Sequence, residues 1–77
     1  MSASGWDLEW AATKASEAMR YLAAFYPECS GSPKLHPHQD AAHEAAVSGD
    51  REKYLEVLRS YMRAGRYEAM RIRKEAA

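Results

Sequence analysis

Residues 55–72, LEVLRSYMRAGRYEAMRI, decide the fold. Leu55, Leu58, Met62, Gly65, Ala69 and Ile72 recur at spacings of three and four, the period that places side chains on one face of an α-helix. The phase is the same before and after Gly65, so the spacing predicts one long helix over about 51–74 rather than two short ones. Gly inside a helix costs about 1 kcal/mol relative to Ala. Its presence on the packed stripe points to a close crossing by another backbone.

A second long helix, over about 5–26, is predicted N-terminal to it. Ser4 caps its first free amides, Asp7 suits its positive end, and Pro27 stops it. Leu8, Ala11, Ala15, Ala18, Leu22 and Phe25 form its stripe, which is small in the middle and large at the ends. A neighbouring helix can approach that middle closely. Ala also buries little apolar area, so more than one contact surface is implied.

Between the two, Pro27, Gly31 and Pro33 with Ser30 and Ser32 read as a connecting loop over 27–36. Pro37 fits the first position of a short central helix over about 37–48, with His36 as its cap. Gly49 suits the left-handed turn after it, and Asp50 caps the third helix. No strand pattern or repeat is present. The fold class is all-α: a single domain, 1–77, built as a small bundle of two long helices and a short central one, with residues 1–4 as a flexible N-terminus.

Seventy-seven residues leave little room for a core. The lone Cys29 cannot close an intramolecular disulfide, so self-association or packing on a partner is the expected supplement. The start Met1-Ser2-Ala3-Ser4-Gly5 has neither the basic nor the apolar region of a secretory leader, and no segment has the apolar length of a membrane span. The expected location is the cytoplasm, with no membrane partner; a free thiol agrees with a reducing compartment.

The formal net charge of zero conceals a division. Residues 1–50 carry seven acids against three bases, and residues 51–77 carry eight bases against four acids. Such asymmetry fits an anionic partner or two halves that attract each other.

Three sets of residues are candidate sites. The first is Cys29, His36, Asp40 and His43. In a helix, His36, Asp40 and His43 share a face, and Cys29 can fold back toward them, a ligand set that zinc accepts. The overall spacing matches no common finger or ribbon, however, and a helix connector explains the same residues. No metal or other cofactor is assigned.

The second set is basic. Arg59, Arg66 and Arg73 recur every seven residues, with Arg63 nearby and Tyr67 one turn from it, an arrangement able to hold phosphates and stack on bases. The same recurrence fits a coiled coil. With Leu55, Met62 and Ala69 at a and Leu58, Gly65 and Ile72 at d, a parallel homodimer would pair Tyr54 with Arg59, Tyr61 with Arg66 and Glu68 with Arg73. An antiparallel pairing with the acidic first helix would use the arginines equally well.

The third set is Trp6 and Trp10, one turn apart and off the Leu8 stripe. They form either an exposed partner-binding patch or a cover over the end of the third helix.

Catalysis has little support. There is no phosphate loop or nucleophile elbow, and only Cys29 near His36 hints at a nucleophile and base. The sequence therefore points to a non-enzymatic protein-protein interaction module that self-associates or docks onto a larger partner. Its expected contact residues are Trp6, Trp10, Tyr54, Leu58, Tyr61 and Met62. The alternative is a small nucleic-acid-binding accessory protein using Arg59, Arg63, Arg66, Tyr67 and Arg73.

Overall fold

The computed structural model describes residues 8–77. The flexible terminus expected over 1–4, the expected Ser4 cap and helix start at 5, and Trp6 and Asp7 lie outside the described residues. Three α-helices follow one another: α1 (Leu8–Phe25), α2 (His36–Ser48) and α3 (Arg51–Ala76). Two short 3-10 turns, Pro27–Cys29 and Pro33–Leu35, join α1 to α2. No strand occurs among the described residues. The protein is an all-α bundle, and no described helix is long and apolar enough to cross a membrane.

The helix ends obey local chemistry. α1 stops at Phe25, two residues before Pro27. The Gly49 backbone, at φ 77°, turns left-handed and donates its N–H to the carbonyls of Ala45 and Ala46 at 3.1 and 3.2 Å. Asp50 Oδ1 then accepts from the Lys53 N–H at 3.0 Å, capping α3. His36 does not cap α2; its φ of −57° and ψ of −43° are helical. The preceding 3-10 turn has already wound the chain, so α2 begins one residue earlier than the proline alone implies. The 27–36 segment is more than a connector, because it buries Cys29 and Leu35.

Contacts fix the helix directions. Ala11 meets Tyr54, Leu22 meets Gly65 and Phe25 meets Arg73, so α1 runs parallel to α3. Leu35 sits in the cluster containing Tyr61, whereas Ala45 sits with Tyr54 and Leu58. α2 therefore runs back against α3, as the tight Gly49 turn demands.

α3 is unbroken through Gly65. The close approach there comes from side chains rather than a backbone. A Cβ on Gly65 would stand 2.7 and 2.8 Å from the two Leu22 methyls and 3.3 Å from Cys29 Sγ. The buried arc of α3 is also wider than the sequence stripe and rotated from it. Tyr54, Val57, Leu58, Tyr61, Gly65, Glu68 and Ala69 are buried, while Leu55, Met62 and Ile72 are half-buried. α3 packs on two helices at once, and a tyrosine can enter such an arc when its apolar body is covered. The α1 stripe is corrected at both ends: Leu8 and Phe25 are 71% and 62% exposed.

Candidate functional site

α1 and α2 both pack on α3, but they scarcely touch each other. The result is a groove between them, floored by Tyr54, Leu58 and Tyr61 of α3. Its two halves have volumes of about 680 and 490 Å³. They are continuous, sharing Ala12, Ala15, Met19, Gln39 and Tyr61 in their linings. Alanines supply the walls, Ala12 and Ala15 on α1 and Ala42 and Ala46 on α2. Short side chains on both walls explain why the helices flank a trough instead of interdigitating.

The floor is built from buried tyrosines with contrasting partners. Tyr54 donates its hydroxyl to the Ala11 carbonyl at 2.7 Å, and burial raises its pKa. Tyr61 is 8% exposed and lines both halves of the groove, yet its hydroxyl has no hydrogen-bond partner among the described residues. A buried phenol ordinarily finds one.

Toward the other end of α3 the packing closes beneath the groove: Leu22, Cys29 and Leu35 border its larger half, yet none is more than 4% exposed. Leu22, Cys29 and Leu35 gather with Ala18, Tyr61 and Ala69 in one cluster. Glu68, 5% exposed, is the buried acid there. Arg71 holds it with two bonds, Nε to Oε1 at 3.1 Å and Nη2 to Oε2 at 2.7 Å. Ser32 Oγ donates to the same carboxylate at 3.3 Å, and Lys34 Nζ lies 3.8 Å away. The Arg71 hydrogen bonds, helped by Lys34 and Ser32, hold the Glu68 carboxyl below its ordinary range against the opposing effect of burial.

Arg73 closes the end of α1, which has no basic residue in its own last turn. Its Nη2 donates to the Phe25 carbonyl at 2.6 Å and its Nε to Glu28 Oε2 at 2.7 Å. Its guanidinium lies 5.2 Å from the Tyr26 ring centroid. A cation at a helix C-terminus is favoured by the exposed carbonyls. Its hydrogen bond lowers the Glu28 pKa.

These positions reassign several candidates. Tyr54, Leu58 and Tyr61 are brought together, not as the flank of a coiled-coil seam but as the buried floor of the groove. Glu68 and Arg73 are each engaged within their own chain. The parallel heptad register drawn from sequence is therefore corrected, because its g positions Tyr54, Tyr61 and Glu68 are buried in the fold. The antiparallel packing on α1 is corrected as well, since α1 is parallel to α3 and Arg73 alone of the three spaced arginines reaches it. Met62 packs against the closed-end cluster. Trp10 is half-buried, its ring 6.1 Å from that of Tyr54 and 4.9 Å from the Arg51 guanidinium. It covers the start of α3 rather than the end, as a parallel α1 requires.

The basic residues divide. Arg59, Arg63, Arg66 and Tyr67 stay exposed on the outer face of α3, while Arg73 turns to α1. Among the described residues, no group of three or more His, Cys, Asp or Glu side chains is placed to hold a metal ion. Cys29 packs toward Gly65, away from any joint site with Asp40 and His43. Burial raises its pKa, which works against a thiolate nucleophile even though His36 lines the same cavity.

Ala12, Met19, Gln39, Ala42 and Ala46 are site residues that sequence reasoning did not single out. The available signal was the alanine-rich middle of α1, which already implied a second contact surface. No family model, curated protein or solved structure matches the chain. The functional reading rests on the groove itself.

Proposed function

We propose that the protein is a non-enzymatic interaction module that takes a helix of a partner into the groove between α1 and α2. The supporting observation is the groove's form: apolar walls of alanine, a floor of Tyr54, Leu58 and Tyr61, and an open mouth along its length. Leu8 and Met19 stand exposed beside it, Met19 at 56%. Its length follows α2, whose 13 residues span about 20 Å at 1.5 Å per residue. A partner helix of three to four turns matches that length, and apolar helix faces seated in grooves are a recurrent recognition mode. A small molecule would be left uncovered on one side, whereas pockets that hold one enclose most of its surface.

A photo-crosslinker placed at Ala12 or Ala42 tests this reading. It is expected to give one discrete adduct mapping to a helical segment, while the same group at Arg63 gives none. Labelling that is equal at all three positions contradicts it.

The second reading uses the outer face of α3. Arg59, Arg63 and Arg66 are exposed there, and Tyr67 is 73% exposed beside them, a stacking surface among cations. Salt separates the two. Phosphate binding weakens steeply with ionic strength, and binding to an apolar groove does not.

A further inference from the structure

The groove has a chemical bias beyond being apolar, and the bias identifies its occupant. Its lining contains Arg20, His36, His38 and His43 and, among the described residues, no carboxylate. Among the described residues, the acids of the flanking helices stand outside that lining: Glu17 pairs with Lys14 at 3.5 Å, Glu9 and Glu17 line an adjoining depression that shares Ala12, Ser16 and Arg20 with the groove wall, and Asp40 and Glu44 are exposed residues of α2 that line neither half. The floor adds Tyr61, more than nine-tenths buried and without a hydrogen-bond partner among the described residues. A groove lined by N–H and O–H donors, with no carboxylate in its described lining, calls for acceptors on the flanks of whatever fills it. Alanine walls call for bulky aliphatic side chains on its buried face.

On that basis, and resting on the docking role proposed above, we infer that the groove receives an amphipathic helix of another polypeptide, with large aliphatic residues on one face and carboxylates on its flanks. A second copy of this chain fits poorly. Among the described residues, the large exposed apolar side chains of α1 include Leu8 and Met19, which belong to the groove wall. Presenting that wall to another groove sets Arg20 and the histidines against the same groups. The exposed apolar residues of α3, Tyr67 and Met70, share its outer face with Arg59, Arg63, Arg66 and Lys74, which would meet Arg20. Both arrangements place cation against cation, which selects against them.

The probe is a phage-displayed pool of 14-residue helices with a fixed Leu/Ile stripe and randomised flanks, selected on the full chain. Enrichment of Asp and Glu in the flanks is expected. The synthesised winner should bind one to one and lose at least tenfold in affinity to Arg20→Glu, and as much to the groove-filling variants Ala12→Trp and Gln39→Trp. Both of those positions are exposed, so circular dichroism should show the fold retained. Winners with basic flanks, or with none favoured, that still depend on an open groove would overturn the assignment of the partner and leave the docking role standing. Failure to select any binder sensitive to Ala12→Trp or Gln39→Trp overturns both. Concentration-dependent dimerisation by light scattering, abolished by the same two variants, would make a second copy the occupant and refute this inference.

Discussion

The two ends of α3 are built on opposite plans. Around Gly65 and Ala69 the missing volume of a glycine and an alanine is filled by Leu22, Cys29 and Leu35, and the polar groups that come with the loop are matched by Glu68, Arg71 and Arg73. Around Tyr54 and Leu58 the large residues are on α3 and the small ones on α1 and α2, so nothing in the described chain fills the space between the two walls. One end completes its packing from within. The other offers a floor and two sides. In so short a chain the closed end is expected to carry the stability, and the open end suits the docking role proposed above.

The largest effect should come from deleting volume at the closed end. Leu22→Ala removes a side chain only 3% exposed and should cost about 2–5 kcal/mol, against under about 0.5 kcal/mol for Leu8→Ala at the mouth of the groove. Urea denaturation of the two variants measures the contrast directly, and equal losses would break it. Next comes overpacking. Gly65→Leu drives new atoms into Leu22 and Cys29, and should destabilise by about 1–3 kcal/mol in the same assay. Asp50→Ala, which removes the α3 cap at the groove end, should cost about 1 kcal/mol.

A pH-dependent difference between the ends is expected to be smaller. The Glu68 and Glu28 carboxyls are both held below their ordinary values, first by the hydrogen bonds from Arg71 and Arg73 respectively. Lowered folded-state values mean that this stabilisation is fully present above the unfolded carboxylate range, near pH 4.3, and is lost as the pH falls through the folded values. Thermal melts from pH 7 to pH 2 should therefore show an acid loss in the wild type that Glu68→Gln reduces. A loss centred above pH 5 would point to other groups. The smallest stability effect belongs to Ala12→Trp, within about 0.5 kcal/mol of wild type, and that same variant should abolish docking.

The sequence discloses the helices and their ends better than the groove between them. The helix stops, the Gly49 turn, the Asp50 cap and the continuity of α3 all follow from local chemistry that a one-dimensional pattern records. The heptad phase misleads because the pattern counts Leu55, Met62 and Ile72 as the face, while a helix seated on two others buries a broader arc that takes in Tyr54, Tyr61 and even Glu68. Charge periodicity misleads in a similar way. Arg59, Arg66 and Arg73 look equivalent at intervals of seven, yet only Arg73 stands level with the end of α1 and its free carbonyls. The groove is a relation between α1 and α2 that neither helix states alone. Its trace was the run of alanines at the middle of α1, and the direction of α2 was needed to show what they border.

Methyl NMR of the full chain, titrated with a helix selected for the groove, tests the open-end claim most directly. Signals from Ala12, Ala15, Met19, Ala42 and Ala46 should shift with the added helix while those of Val57 and Ala69, which line neither half of the groove, stay in place. Shifts confined to the outer face of α3, or centred on Val57 and Ala69, would contradict that claim.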